Sequence, residues 1–367
     1  MYYKFSTKNL KKFFFIVKTF KKVYNRRFAA VAHKFLVIQT AFTGDVVLAT
    51  AVIEKLHQFY PSAQLDFLLR KGNEGLLQNH PCITNLLVWD KKNQKNQNLF
   101  RIIAQVRRQK YTHIINLHRF GSSGLIMLFS GAQYKAGFDK NPFAFCFTKK
   151  VTHIIAQPYS PAPMHEIGRN QQLIADITDT EPAWPKLYPT PADEASVIKY
   201  KSKPYICIAP SSVWFTKQFP GEKWVSLVDQ LPADYHIYLL GAPGDKELAD
   251  SIASKTKHPL VKNLCGKLSF LQSAALMKDA GMNYTNDSAP LHFASAMNAP
   301  VTAVFCSTVP AFGFGPLHNN GKIVEIKERL YCRPCGLHGH KECPEGHFKC
   351  AMEITNEQLL WWTSKTT

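Results

Sequence analysis

The sequence predicts an α/β protein with two Rossmann-like domains whose parallel sheets face a central cleft. Apolar, β-branched runs alternate with helical patterns twice along the chain, and a proline-rich connection separates the two series. A chain of 367 residues also suits two cores better than one. Because ligands of such domains bind outside the carboxyl ends of the strands, we expect the functional residues to lie in the cleft.

The first series of elements begins with KFLVIQT, residues 34–40, which predicts a buried strand. A tight turn and an apolar-periodic helix from Val46 to Phe59 follow. The alternation continues with strand-like runs at 64–70, 84–90 and 112–118 and a helix-like run at 99–110.

Prolines are dense between about residues 158 and 192, which is typical of a connection between domains, with one helical stretch at 165–177. Beyond it, helix-like segments separate further strand-like runs at 205–210, 235–241, 282–286 and 301–307. We therefore expect a first domain over residues 31–190. A second domain over residues 191–367 ends in a cysteine-rich tail and a final helix.

The charge is strongly basic and concentrated at the start of the chain. Lys and Arg number 45 against 26 acidic residues, and nine basic residues with no acidic one fall between Met1 and Phe28. Apolar residues recur there at helical spacing, so residues 1–30 predict a basic amphipathic arm that contacts an anionic membrane surface. A flexible basic tail is the alternative. The uncharged run 13–17 is too short to span a bilayer.

Nine cysteines without a recognisable signal peptide favour a reducing compartment. With the basic arm, this predicts a cytoplasmic protein peripheral to the inner face of the cytoplasmic membrane. Cys332, Cys335, Cys343 and Cys350 have spacings similar to zinc ligands, so a structural zinc ion is one interpretation. Reduced thiols, or a disulfide that packs one loop, are the others.

Thr43, Gly44 and Asp45 form the first candidate site, at the junction between the first strand and its helix. A carboxylate in this position faces the cleft, where it can accept a proton. Aspartate is also a common helix cap, so a purely structural role is the alternative. Neither half of the chain contains a GxGxxG fingerprint or a P-loop, which argues against a dinucleotide dehydrogenase or an ATPase.

A second candidate is TNDSAPLHFASA, residues 285–296, in which a strand ends and a helix opens with a proline near its first turn. Free N–H groups at a helix N-terminus, beside a hydroxyl, bind phosphate readily. His292 either faces that ligand or is an ordinary buried histidine. The candidate ligand-binding residues are Asp287, Ser288, Ala289, Leu291 and His292.

A third candidate is the loop PSSVWFTKQFP, residues 210–220. Ser211 and Ser212 offer hydroxyls, and Lys217 can reach a diphosphate with its ammonium group or remain an ordinary surface lysine. In the loop 241–247, Asp245 is either an acceptor for ribose hydroxyls or a solvated acid.

The order of these motifs resembles glycosyltransferase family 9. The matching segments are GDVVLATAV, the SS-x4-K-x-F-P loop, GKLSFLQSAAL, NDSAPLH and PVTAVFCST, and the likeness covers about residues 34–362. The resemblance implies a GT-B-like fold and inverting transfer of a heptose or related sugar from an ADP-sugar donor. The implied acceptor is the phosphorylated lipid A-core of lipopolysaccharide, and no metal or other cofactor takes part in the chemistry.

The resemblance also implies roles for individual residues. Asp45 matches the catalytic base, and Lys217 with the stretch 287–292 matches the donor-diphosphate site. Residues 31–190 match the acceptor domain and residues 191–367 the donor domain. The acceptor-side candidates are Thr43, Gly44, Arg119, His165 and Arg169.

The sequence departs from the family pattern at three places. Ala289 stands where a glycine is common, and Ser211 and Ser212 replace a threonine pair. Arg119 is displaced within HRFGSSG.

Taken together, the motifs predict a heptosyltransferase-like enzyme with no nucleic-acid partner. The rival interpretation is a non-catalytic protein that binds polyanions, such as nucleic acid, through a degenerate two-domain scaffold.

Overall fold

The computed structural model of the protein describes residues 33–161, 163–317, 319 and 321–363. The predicted basic arm, residues 1–30, lies outside these residues. Within the described ranges, no helix combines the length and the apolar character needed to cross a membrane.

The first domain contains a six-stranded parallel sheet in the order β3-β2-β1-β4-β5-β6. Its strands are β1 Lys34–Ile38, β2 Gln64–Arg70, β3 Asn85–Trp89, β4 His113–Asn116, β5 Tyr134–Phe138 and β6 Lys149–Val151. The helices between them are α1 Thr43–Phe59, α2 Glu74–Leu77, α3 Lys95–Gln109 and α4 Gly121–Phe129.

The connection between the sheets contains two short helices, α5 Glu166–Gln171 and α6 Pro191–Val197. The stretch predicted as one helix over 165–177 is therefore helical only in its first part. Beyond Gln171 the backbone continues in turns, in which Leu173 and Ile174 donate to carbonyl oxygens three residues earlier.

The second domain repeats the topology of the first, with the order β12-β11-β10-β7-β8-β9. Its strands are β7 Tyr205–Ala209, β8 His236–Leu239, β9 Val261–Asn263, β10 Met282–Asn286, β11 Val301–Phe305 and β12 Gly321–Glu325. Its helices are α7 Gly221–Val228, α8 Lys246–Lys255, α9 Phe270–Lys278, α10 Ala289–Ala296, α11 Lys349–Met352 and α12 Asn356–Leu359.

The central strands are buried on both faces because helices cover both sides of each sheet. Every residue of β7 and β10 is buried, as are four of the five residues of β1. This arrangement confirms the predicted α/β class with two Rossmann-like domains.

The strand order reverses between β1 and β4 in the first sheet and between β7 and β10 in the second. Such switch points leave a crevice at the carboxyl ends of the strands. The loops that follow these four strands carry most of the candidate residues named above.

Candidate active site

A cavity of about 240 Å³ lies between the two domains, at the switch points of both sheets. Its walls come from the start of α1 in the first domain and from the loops after β7 and β10 in the second. Of the residues predicted from sequence, it is lined by Thr43, Gly44, Asp45, Ser212, Lys217, Asp287, Ser288, Ala289 and His292.

Asp45 lies in the first turn of α1, three residues after the N-cap residue Phe42. Desolvation by burial, together with the nearby negative charge of Glu166, raises its pKa to about 6. Hydrogen bonds from the backbone N–H groups of Phe42 and Asp45 and the charge of Lys217 oppose this increase without cancelling it. The carboxylate therefore titrates close to neutral pH, as a general base requires.

Lys217 lies on the opposite wall, where the 3₁₀ turn Phe215–Lys217 follows β7. Its Nζ is 2.7 Å from Oδ2 of Asp287, and the hydroxyl of Thr308 donates to the same oxygen at 2.7 Å. These contacts hold the pKa of Asp287 below its ordinary value, although burial acts in the opposite direction. The lysine is thus fixed by a buried carboxylate and is not an ordinary surface lysine.

The N-terminus of α10 presents backbone donors to the cavity beside this ion pair. Pro290 has no N–H, and the N–H of Leu291 donates to the carbonyl oxygen of Ser288. Within the described chain, the N–H groups of Ser288 and Ala289 donate to no protein acceptor. The side chain of Leu291 is fully buried in the core, so this predicted ligand-binding residue does not reach the cavity.

His292 is buried and is also part of the cavity wall, so it is a buried histidine that can still face a ligand. Burial lowers its pKa to about 3, which keeps the imidazole neutral. Its Nδ1 atom has no hydrogen-bond partner among the described residues. The ring also lies directly against Gly44 of the first domain, where a β-carbon would come within 2.6 Å of its Cδ2 atom.

Ser211 and Asp245 bind each other outside the cavity wall. The hydroxyl of Ser211 donates to Oδ1 of Asp245 at 2.6 Å, and the N–H of Ala242 donates to Oδ2 at 2.7 Å. Asn286 joins the neighbouring loops, since its side chain donates to the carbonyl of Pro210 and accepts from the N–H of Phe219. These hydrogen bonds position the loops beside the cavity, although the residues that form them do not line it.

The predicted acceptor-side residues His165 and Arg169 connect backbone segments. His165 caps α5, and its Nε2 lies 3.0 Å from the carbonyl oxygen of Gly315. Buried Arg169 pairs with Glu166 and donates to the carbonyl oxygens of Met164 and Phe312. Neither residue lines the cavity. Their polar atoms instead form hydrogen bonds that join the segment between the two sheets to the loop after β11.

Arg119 follows β4 and is half-buried outside the cavity wall. Its positive charge nevertheless acts to lower the pKa of Glu166 and of His338, so its guanidinium lies near both residues.

Among the residues of the cavity wall that sequence reasoning missed are Leu337 and His338, which come from the cysteine-rich tail. The tail is attached beside Lys217 by two hydrogen bonds: the Thr216 N–H donates to the carbonyl oxygen of His340, and the His340 N–H donates to the hydroxyl of Thr216. Arg70, at the carboxyl end of β2, also lines the cavity and was not predicted, although its position at that edge could have indicated it.

The four cysteines of the tail line a separate cavity of about 350 Å³, together with His340 and His347. All four are free thiols. Among the described residues, only one set of three potential metal ligands has its donor atoms within 4.8 Å of one another. This set is Glu54, His80 and Cys82, in the first domain and outside the tail. The sulfurs of Cys332, Cys335, Cys343 and Cys350 thus share a cavity but do not converge on one point.

The cavity combines a carboxylate that titrates near neutral pH with a cation and two free N–H groups on the facing wall. The carboxylate can accept the proton of a neutral hydroxyl, and the cation and the N–H groups can stabilise a developing anion. The arrangement therefore suits displacement of an anionic leaving group by a hydroxyl.

The profile of "Glycosyltransferase family 9 (heptosyltransferase)" matches residues 99–348. The chain is 29% identical, over 296 residues, to "Lipopolysaccharide heptosyltransferase 3" of Escherichia coli, covering 76% of this chain and 85% of that protein.

Two solved structures are similar in fold. The crystal structure of the glycosyl transferase family 9 from Veillonella parvula has a TM-score of 0.78 at 20% identity, covering 91% of this chain and 97% of that one. The E. coli ADP-heptose lps heptosyltransferase II has a TM-score of 0.73 at 19% identity, covering 90% and 98%. These similarities confirm the predicted GT-B-like architecture.

Proposed function

Because the chain belongs to glycosyltransferase family 9, and is therefore a glycosyltransferase, we propose that it transfers a heptose from an ADP-sugar to the core of lipopolysaccharide with inversion at the anomeric carbon. The observation that carries this proposal is the position of Asp45 and Lys217 on facing walls of one cavity. The family match begins at residue 99, so the assignment of Asp45 depends on this geometry.

In the proposed mechanism, Asp45 accepts the proton of the acceptor hydroxyl as that oxygen attacks the anomeric carbon. The bond from this carbon to the diphosphate breaks, and ADP leaves with the electron pair. A pKa near 6 leaves most of the carboxylate ionised at neutral pH, while keeping it basic enough to take the proton. Attack from the face opposite the diphosphate inverts the configuration.

We assign the departing diphosphate to Lys217 and to the N–H groups of Ser288 and Ala289. Each is a donor whose interaction strengthens as negative charge grows on the leaving group. Lys217 is paired with Asp287, so the diphosphate must share the ammonium group with this carboxylate. The hydroxyl of Thr308 supplies Asp287 with a second hydrogen bond that persists if the lysine turns toward the diphosphate.

The experiment that tests this function is release of ADP from ADP-heptose by the full chain, measured with and without a de-acylated, phosphorylated lipopolysaccharide core. Acceptor-dependent ADP release with an inverted glycosidic bond supports the proposal. Turnover with a UDP-sugar but not with ADP-heptose would overturn the donor assignment. No turnover, together with tight, salt-sensitive binding of nucleic acid, would instead support the polyanion-binding alternative.

We place the enzyme at the cytoplasmic face of the inner membrane, where its lipid-borne acceptor would be presented. The charge of the arm supports this location, since nine basic residues without an acidic one favour anionic lipid. Deletion of residues 1–28 should lower the membrane-bound fraction of the protein while turnover on a soluble acceptor persists. Unchanged partitioning at low salt would contradict the role of the arm.

We also propose that the cysteine-rich tail holds a structural zinc ion through Cys332, Cys335, Cys343 and Cys350. Four thiolates are a donor set that zinc prefers, but tetrahedral coordination places sulfurs roughly 4 Å apart, so the loop must contract around the ion. Elemental analysis of the purified full chain should give one zinc per chain, lost in a Cys332→Ser and Cys335→Ser variant. A metal-free chain in which all nine cysteines titrate as free thiols would contradict this assignment.

A further inference from the structure

The first domain contains a long stretch of sequence without acidic residues. From Lys91 to Phe138 the sequence contains nine Lys or Arg and no Asp or Glu. This stretch includes α3 and α4, which pack side by side on one face of the first sheet. The mechanism proposed above uses none of the residues on the outer surface of these helices.

The α3 helix is amphipathic, with a basic outer face. Leu99, Ile102 and Val106 are buried against the sheet. At 100° per residue, the opposite face carries Phe100, Arg101, Arg107 and Arg108, all of them exposed. The helix therefore presents three guanidinium groups and one aromatic ring to solvent.

Large apolar side chains are exposed on the same side of the domain. Phe100 is 69% exposed, Phe129 at the end of α4 is 51% exposed, and Phe145 is 72% exposed. Nη1 of Arg107 donates to the carbonyl oxygen of Phe129 at 3.4 Å, which joins the ends of the two helices. Cys146, next to Phe145, is packed against the same core cluster as α3.

This surface extends from the start of β1 to the cleft. Nζ of Lys34, at the start of β1, donates to Oε1 of Gln109 at 2.6 Å, so the start of β1 lies beside the basic end of α3. In contrast, α4 starts at the carboxyl end of β4, on the cleft side of the sheet. A planar partner bound here would reach the edge of the cleft.

We propose that Phe100, Arg101, Arg107, Arg108, Phe129 and Phe145 form a docking face that binds the anionic surface of a membrane. Exposed phenylalanines insert among lipid headgroups and acyl chains, and arginines beside them are attracted to anionic lipid. Residues 91–138 contain no acidic side chain, so their positive charge complements the negative charge of that membrane surface. This binding needs neither donor nor acceptor, so it is independent of the proposed transfer reaction.

The test is partitioning of the full chain onto vesicles of phosphatidylglycerol and phosphatidylcholine, compared with phosphatidylcholine alone. The triple variant Arg101→Gln, Arg107→Gln, Arg108→Gln should bind the anionic vesicles at least about tenfold more weakly. A matched control neutralises three exposed lysines of the second domain, Lys255→Gln, Lys257→Gln and Lys262→Gln, and should change binding by less than about twofold.

The aromatic part of the face is tested separately. The double variant Phe100→Ser, Phe145→Ser should lose binding, whereas Phe100→Trp, Phe145→Trp should retain or increase it, because tryptophan favours the membrane interface. Thermal melts establish that each variant is folded.

Three outcomes would overturn the proposal. They are unchanged binding in the arginine variant, equal losses in this variant and the lysine control, or a larger loss of binding to a single-stranded oligonucleotide than to the vesicles.

Discussion

Gly44 in the first domain has no space for a β-carbon, because this atom would lie 2.6 Å from Cδ2 of His292 in the second domain. The contact brings the first turn of α1 against α10, so the wall that carries Asp45 packs directly on the wall that carries the N-terminus of α10. The distance between these two walls of the cavity therefore depends on a residue without a side chain.

Gly44→Ala should separate these walls. We expect the free energy of unfolding to fall by about 1–3 kcal/mol, as in other overpacked cores, and turnover to fall with it. Gly75→Ala is the matched control: it is also a helical glycine, but the nearest side-chain atom to its added β-carbon is 3.9 Å away. Chemical denaturation should show this control to be neutral or stabilised. A Gly44→Ala variant that is equally stable and active would mean that the domains tolerate separation.

Lys217→Ala should weaken ADP binding by at least tenfold and slow transfer, because the diphosphate loses its cation in both the ground state and the transition state. Calorimetry measures the ADP affinity, and Lys246→Ala, which removes an exposed lysine of the same domain, is the control. Unchanged ADP affinity and rate in folded Lys217→Ala would show that Lys217 only neutralises Asp287.

Arg169→Ala should mainly destabilise the fold. It removes a buried guanidinium from Glu166 and from two carbonyl oxygens, and loss of one partner of a buried pair costs about 3–5 kcal/mol. Arg119→Ala should leave the melting temperature nearly unchanged, because no hydrogen bond within the described chain involves Arg119. If Arg169→Ala instead melts normally and only raises the KM of the acceptor, the residue belongs to the acceptor site as first predicted.

The pH dependence of kcat/KM should report Asp45. With a pKa of about 6, the rate should fall about tenfold for each pH unit below this value, as the base becomes protonated. Glu166→Gln removes a negative neighbour while keeping an acceptor for Arg169, so the midpoint of this acid limb should move to lower pH. A midpoint that stays in place would show that Glu166 does not tune the base.

Much of the site could be predicted because it depends on local sequence. The stretch 285–296 combines the end of a buried strand, Asp287 directly after it and Pro290 at a helix start, and each feature determines its own local structure. Asp45 and Lys217 follow other buried strands, and parallel topology brings the carboxyl ends of such strands together.

The rest of the site depends on contacts that are distant in sequence. Leu337 and His338 reach the cavity because the tail bonds to Thr216, about 120 residues earlier, and no local pattern indicates this attachment. His165 and Arg169 stay outside the cavity wall for a similar reason, since their side chains contact Gly315 and Phe312, which are distant in sequence. The α4 helix was not predicted because it begins with GSSG, a composition typical of loops.

Asp45→Asn should also change stability in a direction that depends on pH. The pKa of Asp45 is raised in the folded chain from 3.8 to about 6, so its contribution to stability is present below about pH 4 and is lost as pH rises through 6. Asparagine carries no charge, so the variant should melt at the same or a higher temperature than the wild type at pH 8. A lower melting temperature at pH 8 would indicate that the ionised carboxylate stabilises the helix.

Turnover of Asp45→Asn at pH 8 tests the central claim most directly. Asparagine has nearly the same size as aspartate but cannot accept the proton of the acceptor hydroxyl, while Lys217 and the N-terminus of α10 remain in place. We predict that ADP affinity stays within about twofold of the wild type and that turnover falls by roughly 10²- to 10⁴-fold, the usual contribution of a positioned base. Near-normal turnover in this folded, ADP-binding variant would contradict the assignment of Asp45 as the base.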